Sequence, residues 1–289
     1  MSVTVSLRAL GDVVREHHVG DRRILPGAAA PQLVHAALPE PAGAVRLTGL
    51  TWLRPLGLDD TDEVRVVTEG RAGHPPAPPV PFTITGPDGV SYVSGSAESL
   101  PAPAPFAVTA PTPEEVGPAV APAVVYARLA AGGVRHGTGL QVLQALWAGP
   151  GECLADLAAA PAPGQWLDPA VLDGAFQALA VLDGTTGYLP TSLAELTCLR
   201  PLSARCRVHA RDVTPPGTTG SRTVDLDVFD GRDHVLAVRG LHLTAVRRDA
   251  TTPPATPRTD TALLTDTALL TGTAAAAPPD AVVDVRYRR

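Results

Sequence analysis

The chain of 289 residues is long enough to form one large domain or two small ones around a sizeable core. Hydrophobic residues make up 45% of it, which excludes a wholly disordered protein, and its apolar stretches are too short for a transmembrane helix. A formal net charge of -6 offers no basic surface to nucleic acid or to an anionic membrane, so we expect neither partner.

The cellular compartment is indicated by two features of the sequence. The three cysteines are an odd number without paired spacing, which favours a reducing environment. Arg8, Asp12, Arg15 and Glu16 place charges where a secretory signal would need an apolar run. We therefore predict a cytoplasmic protein.

The first half of the chain predicts one helix and several strands. A turn-rich segment from Glu16 leads to a helix at 27–38, with Pro26 and Gly27 at its start, where a missing N–H is harmless. Short runs rich in β-branched and aromatic residues follow, and turn signals such as those at 86–89 separate them. These runs predict antiparallel strands at 44–56, 63–69, 80–85 and 90–97.

A proline-rich passage at 101–122 separates this pattern from a second copy of it. Because proline lacks an N–H and fixes φ, we predict neither strand nor helix there. In the second copy, Asp168 and Pro169 begin a helix at 169–182, as cap and first helical residue. Predicted strands surround it at 140–147, 152–158, 205–211, 222–230 and 234–246.

The two copies define a domain organisation of strands around one helix, repeated once. We predict an N-terminal unit at 1–105, a proline-rich connector at 106–121 and a C-terminal unit at 122–248. Residues 249–289 are rich in Thr, Ala and Pro and contain a doubled TDTALL, which predicts a flexible low-complexity tail.

Two places in the sequence offer groups for catalysis. His17 and His18 precede the first helix, and they are either surface histidines or include a general base beside a helix N-terminus that can stabilise an oxyanion. Adjacent strand residues point to opposite faces and no further ligand lies at suitable spacing, so we predict no metal site. Asp173 and Gln177 share a helical face, and Asp173 is either a surface carboxylate or an acid.

Taken together, these features resemble the dehydratase domain of modular polyketide synthases. The family motif His-x-x-x-Gly-x-x-x-x-Pro is matched by His17 and Pro26, and its Leu-Pro-Gly ends at Gly27. The second motif, Asp-x-x-x-Gln at a helix start, is matched by Asp173 and Gln177. The resemblance covers roughly residues 5 to 248 and implies an α+β double hotdog, in which two antiparallel sheets each wrap around a central helix.

Two further segments carry the resemblance. After Gly133, the segment at 136–141 corresponds to the family's Tyr-Gly-Pro-x-Phe-Gln, with His136 at the tyrosine position and Gly137 retained. Leu189 and Pro190 match a later Leu-Pro segment.

The chain also departs from the family pattern in three segments. The glycine of the first motif falls one place early, at Gly20, and Asp168 replaces the histidine that usually opens the second helix. The Tyr-Gly-Pro segment has lost both its tyrosine and its proline.

The resemblance implies a reaction and a set of site residues. The substrate would be a β-hydroxyacyl thioester on the phosphopantetheine arm of an acyl carrier protein, with no other cofactor. His17 would take the α-proton. Asp173, whose pKa we expect burial to raise, would protonate the leaving hydroxyl. Gln177 would hold the Asp173 carboxyl group and orient the leaving hydroxyl. The Gly27 N–H would polarise the thioester carbonyl. The implied substrate-binding residues are Pro26, Gly27, Gly133, His136, Gly137, Leu189 and Pro190.

Three alternatives to dehydration remain open at this point. The same pair could move the double bond of an enoyl thioester, although Asp173 argues against pure isomerisation, or close an oxygen heterocycle by oxa-Michael addition. The third is a non-catalytic double hotdog that docks a carrier protein. In each case the implied partners are the acyl carrier protein and other polyketide synthase domains, and a homodimer is left open.

Overall fold

The structure is a computed structural model that describes residues 1–38, 43–58, 61–69, 78–100, 103–160, 164–182 and 188–245. The predicted tail at 249–289 therefore lies outside the described residues. The strands are β1 Ser2–Ser6, β2 His17–Val19, β3 Arg22–Arg23, β4 Ala44–Trp52, β5 Glu63–Thr68, β6 Val80–Thr85, β7 Ser91–Leu100, β8 Val134–His136, β9 Leu143–Gly149, β10 Glu152–Ala158, β11 Tyr188–Cys198, β12 Arg205–Asp212, β13 Ser221–Asp230 and β14 Asp233–Ala245. The α-helices are α1 Asp12–Glu16, α2 Ala30–Ala37, α3 Pro113–Val116, α4 Pro122–Ala131 and α5 Pro169–Ala178, and 3-10 turns cover Leu7–Leu10, Gly27–Ala29, Thr138–Leu140 and Leu179–Val181.

Eleven of the described strands form one continuous antiparallel sheet. The first half of the chain contributes β1-β5-β6-β7-β4, and the second half continues with β11-β14-β13-β12-β10-β9. The two halves meet where β4 pairs with β11, with Val45 opposite Cys198 and Thr51 opposite Ser192. Main-chain hydrogen bonding therefore crosses the boundary between the repeated units.

Each part of the sheet packs against one central helix. α2 contacts strands of the first half, whereas α5 contacts strands of the second half. Both helices are apolar on nearly all sides, which is expected of helices buried in a core. The two helices meet through the 3-10 turn Gly27–Ala29, which packs against α5. This arrangement is the predicted α+β double hotdog.

A second, three-stranded sheet in the order β3-β2-β8 also joins the two halves. It pairs β2 from the first half with β8 from the second, and His17 lies directly opposite His136. Directly opposed residues of antiparallel strands project their side chains to the same face. The small sheet therefore fixes these two imidazoles side by side.

The connector is more ordered than the sequence predicted. The prediction of no helix between 101 and 122 is wrong, because α3 forms there with a capping box made by Thr112 and Glu115. The ring of Phe106 packs on His234 at 4.1 Å between centroids, which anchors the connector to the second half.

Other boundaries differ from the predicted ones. The predicted strand at 44–56 ends at Trp52, and the one at 140–147 begins only at Leu143, because a 3-10 turn precedes it. Strands β1, β3, β8 and β11 and helices α1 and α4 were not predicted. None of the described helices is long and apolar enough to cross a membrane.

Candidate active site

A cavity of about 500 Å³ opens between the two halves of the protein. Its described walls are mainly apolar, with Leu33, Ile84 and Phe176 among them, and its polar lining includes the side chains predicted for catalysis. His17 and Asp173, which come from opposite halves, both face this one cavity. The described residues predicted from sequence that line it are His17, Pro26, Gly27, His136, Asp173, Gln177, Leu189 and Pro190.

His17 is held in one tautomer by the backbone. Its Nδ1 lies 2.8 Å from the carbonyl oxygen of Ile24, which can only accept a hydrogen bond, so Nδ1 carries the proton. The lone pair is then on Nε2. Burial lowers the pKa of His17, although the charge of Asp173 acts in the opposite direction, and the imidazole is a neutral base near pH 7.

Asp173 lies one turn into α5, and Gln177 fixes its carboxyl group. The Nε2 of Gln177 donates to Asp173 Oδ2 at 2.7 Å and to the carbonyl oxygen of Leu140 at 2.9 Å. Leu140 ends the 3-10 turn that follows β8, so the segment resembling Tyr-Gly-Pro-x-Phe-Gln positions the carboxyl group through its backbone. The four-residue spacing predicted the hydrogen bond between Asp173 and Gln177, which the structure contains.

The expected rise in the pKa of Asp173 is wrong in its net direction. Burial does raise this pKa, but the adjacent imidazole of His136, the charge of His17 and the hydrogen bond of Gln177 outweigh it. They hold the pKa below its usual range. The sequence indicates the apolar surroundings of Asp173, but not the two imidazoles that the small sheet brings to its carboxyl group.

His136, predicted to bind substrate, also lies beside Asp173 and His17, which the sequence did not predict. Its Nε2 lies 3.4 Å from Asp173 Oδ2, and its ring centroid lies 5.2 Å from that of His17. Its Nδ1 is buried and has no hydrogen-bond partner among the described residues. Only the pairing of β2 with β8, which are more than a hundred residues apart, brings it to this position.

Two predicted substrate-binding glycines are not among the described residues that line the cavity. Gly133 has φ +85° in the turn before β8, and its carbonyl oxygen accepts the Gly20 N–H at 2.8 Å. Gly137 donates its N–H to the Glu16 carbonyl oxygen at 2.9 Å, and a Cβ there would lie 2.6 Å from Glu16 Oε2. Both glycines shape the backbone that carries His136.

Glu16 has a structural role that the sequence analysis did not identify. Its Oε2 accepts the N–H of Gly139 at 2.6 Å, so this side chain holds the loop that leads from β8 to Leu140. In the sequence, Glu16 stands out only as the neighbour of His17. No motif or spacing links it to Gly139, which lies more than a hundred residues further along the chain.

Gly27 brings the first helix close to an aromatic wall of the cavity. The indole Nε1 of Trp52 donates to the Gly27 carbonyl oxygen at 3.1 Å, and a Cβ on Gly27 would lie 2.8 Å from that nitrogen. A side chain at this position would displace Trp52. The first turn of a helix leaves backbone N–H groups without intrahelical acceptors, and here that turn faces the cavity.

Comparisons with known proteins agree with this architecture. The model "Polyketide synthase dehydratase N-terminal domain" matches residues 104–253, more than half of the chain, and "Polyketide synthase dehydratase domain" matches residues 4–84. A search of curated proteins gives no match.

Several solved structures share the fold at low sequence identity. The dehydratase domain of RzxB from Pseudomonas fluorescens has 22% identity and a TM-score of 0.71, covering 84% of this chain and 94% of that one. The dehydratase domain from the CurJ module of the curacin polyketide synthase has 17% identity and a TM-score of 0.71, covering 84% and 90%. The dehydratase domain of a mycocerosic acid synthase-like polyketide synthase has 19% identity and a TM-score of 0.70, covering 86% and 90%.

These matches share the double hotdog, and the family models cover both of its halves. The chain therefore belongs to the polyketide synthase dehydratase family, as a dehydratase of polyketide biosynthesis.

Proposed function

We propose that the protein eliminates water from a β-hydroxyacyl thioester carried on the phosphopantetheine arm of an acyl carrier protein. The observation that carries the proposal is the convergence of His17 and Asp173 on one cavity, with ligand-type atoms of both within 4.8 Å. Elimination needs a base at the α-carbon and an acid at the neighbouring β-oxygen, and groups this close can reach both.

In the proposed reaction, His17 Nε2 removes the α-proton of the thioester. The electrons of the broken C–H bond form the new double bond, and the β-C–O bond breaks. The departing oxygen takes the proton of the Asp173 carboxyl group and leaves as water. The first helical turn at Gly27 offers backbone N–H groups to the thioester oxygen, where negative charge develops.

The carboxyl group must be protonated when the hydroxyl leaves. Without substrate, the neighbouring imidazoles favour the charged form of the carboxyl group and lower the pKa of Asp173. A substrate hydroxyl that accepts a hydrogen bond from the carboxyl group interacts with its protonated form, and such a hydrogen bond disfavours the charged form. We therefore propose that substrate binding itself favours the protonated acid.

The alternatives are less well supported than dehydration. The family match does not favour an enoyl isomerase, an oxa-Michael cyclase or a non-catalytic docking scaffold. Product mass separates the enzymatic cases, because dehydration loses one water whereas isomerisation and ring closure keep the mass. The scaffold would bind a carrier protein without turnover.

The test of the reaction compares two active-site variants with a matched control. His17→Ala and Asp173→Asn should each lower turnover of a β-hydroxyacyl carrier protein or short thioester surrogate by about 10²–10⁴-fold, because each removes one proton transfer. Mass spectrometry of the product measures this. His18→Ala should be mild, because His18 lies beside His17 and points to the opposite face of β2.

Two outcomes would contradict these assignments. Unchanged turnover in either active-site variant would remove that residue from the mechanism. A larger loss in His18→Ala than in His17→Ala would show that the other imidazole is the base.

The setting of the reaction is also part of the proposal. Family membership implies work within a polyketide synthase and with a carrier protein, whereas the β-hydroxyacyl class and a cytoplasmic location stay predictions. The three cysteines are free and buried, which is compatible with a reducing compartment. We propose no cofactor for the reaction besides the phosphopantetheine arm, because the two side chains supply both proton transfers.

A further inference from the structure

Within the described part of the chain, one group of three potential metal ligands lies close together. Ligand atoms of His17, His136 and Asp173 are within 4.8 Å of one another. The sequence predicted no metal site, because these residues come from β2, β8 and α5 and no local spacing joins them. Two imidazoles and one carboxylate are a donor set that Zn²⁺ and similar transition-metal ions prefer.

The separation of His136 and Asp173 fits an ion between them better than a direct hydrogen bond. Two ligand atoms about 2.0–2.1 Å from a tetrahedral zinc ion lie about 3.4 Å apart. His136 Nε2 and Asp173 Oδ2 are 3.4 Å apart, whereas His209 Nε2 and Glu152 Oε2 on another face of the protein are in direct contact at 2.8 Å. The pair at the cavity is therefore spaced like two ligands of one ion.

The surroundings of the three side chains also suit an ion. His17 donates its Nδ1–H to the Ile24 carbonyl and turns Nε2 to the site, which is how metal-binding histidines are usually held. Gln177 holds Asp173 Oδ2 at 2.7 Å as an outer partner. His136 presents Nε2 to Asp173, and its Nδ1 is buried with no partner among the described residues.

We propose that His17, His136 and Asp173 form a binding site for one divalent transition-metal ion of the Zn²⁺ type. The cavity leaves a fourth position open to water. A bound ion takes the lone pair of His17 and the carboxylate of Asp173, so the ion and the thioester substrate exclude each other. The proposal rests on the geometry of the three side chains and not on the proposed reaction, because ion binding is measured without substrate.

The experiment titrates Co²⁺ and Zn²⁺ into the full chain, purified without a histidine tag. We expect an intense visible Co²⁺ absorption of the kind that low-coordinate sites give, saturation at one ion per chain, and displacement by Zn²⁺. His136→Phe should weaken Zn²⁺ binding by at least about 10–100-fold, because it removes a ligand from the first coordination shell. His18→Ala is the matched control and should bind Zn²⁺ like the wild type.

Circular dichroism checks that His136→Phe is folded, and Asp173→Asn is the second variant if it is not. The proposal is overturned if the wild type shows no such Co²⁺ absorption, or if a folded variant lacking one of the three ligands binds Zn²⁺ as the wild type does. A protein that binds the ion but does not dehydrate the thioester would support the site and contradict the proposed function. A protein that dehydrates the thioester but does not bind the ion would support the proposed function and contradict the metal site.

Discussion

At the scale of single residues, Asp227 is a buried carboxylate outside the active site, surrounded by Arg and His side chains. Asp227 is fully buried, and its carboxylate contacts Arg211 at 2.7 Å, His234 at 3.0 Å and Arg239 at 2.5 Å. Burial raises the pKa of Asp227, but the hydrogen bonds and charges of His234 and Arg239 outweigh it and hold the pKa below its usual range. The cluster ties β12, β13 and β14 together.

Asp227→Asn should destabilise the protein at neutral pH. A carboxyl group with a lower pKa in the folded state adds stability that is fully present above its unfolded pKa of about 4, and that is lost as the pH falls through the folded value. A hydrogen bond to a charged group contributes about 1.5–3 kcal/mol, and because Arg211 and Arg239 are partly exposed we expect a loss of that order. Denaturant unfolding at pH 7 should show this loss, and the gap to the wild type should narrow below about pH 4.

The matched control for this measurement is Asp230→Asn, because Asp230 is exposed at the end of the same strand. Its unfolding free energy should stay close to that of the wild type. A loss in Asp227→Asn that is equal at pH 7 and at pH 3 would show that the charge of Asp227 does not contribute to stability.

The active-site residues divide into those that local spacing can predict and those that it cannot. His17, Asp173 and Gln177 could be singled out because each lies at a fixed distance from a helix start or from another member of its motif. The position of His136 beside them depends on the register between β2 and β8. A register between distant strands leaves no trace in a short motif, so neither the lowered pKa of Asp173 nor the three-residue metal group could be foreseen.

At the scale of elements, the close approach of α5 to the sheet depends on Gly174. A Cβ on this residue would collide with Cγ2 of Val142, which is itself buried, and would lie 3.4 Å from Leu157 Cδ1. Gly174 follows Asp173 directly, so any shift of α5 that relieves the collision also moves the acid.

Gly174→Ala should therefore lower both stability and turnover. Alanine normally favours a helix interior over glycine, but overpacking a core costs about 1–3 kcal/mol, and a displacement of about 1 Å at a catalytic group can cost about 100-fold in rate. Thermal unfolding and thioester turnover measure the two effects. Adding Val142→Ala should restore part of each by making room for the new methyl group. A Gly174→Ala protein as stable and active as the wild type would show that Val142 can move aside and that α5 does not need glycine at this position.

Three of the elements that sequence analysis missed have identifiable causes. Strand β11 contains Pro190, and proline argues against a strand in the middle of a sheet. Helix α4 is largely exposed and buries only Val125, so it shows no apolar stripe, although Pro122 at its first position was a start signal. Helix α3 carried the Thr-x-x-Glu signature of a capping box inside a passage whose prolines had excluded any helix.

At the scale of the whole molecule, the repeated composition predicted two similar units, and the structure has them joined by more than their connector. The pairing of β4 with β11 continues one sheet through both units, and the pairing of β2 with β8 crosses between them a second time. The catalytic base and the carboxyl group come from different units. Neither unit contains a complete site.

The strand pairing between the two halves resembles the interface of a dimer whose subunits have been fused. The covalent link then does little beyond keeping the partners at high effective concentration. Two separate polypeptides, residues 1–105 and 106–289, should recombine when they are co-expressed, co-purify as a one-to-one complex, and regain thioester turnover that neither fragment has alone. If the two fragments do not associate, the covalent linkage is required and strand pairing between the halves is not sufficient to hold the molecule together.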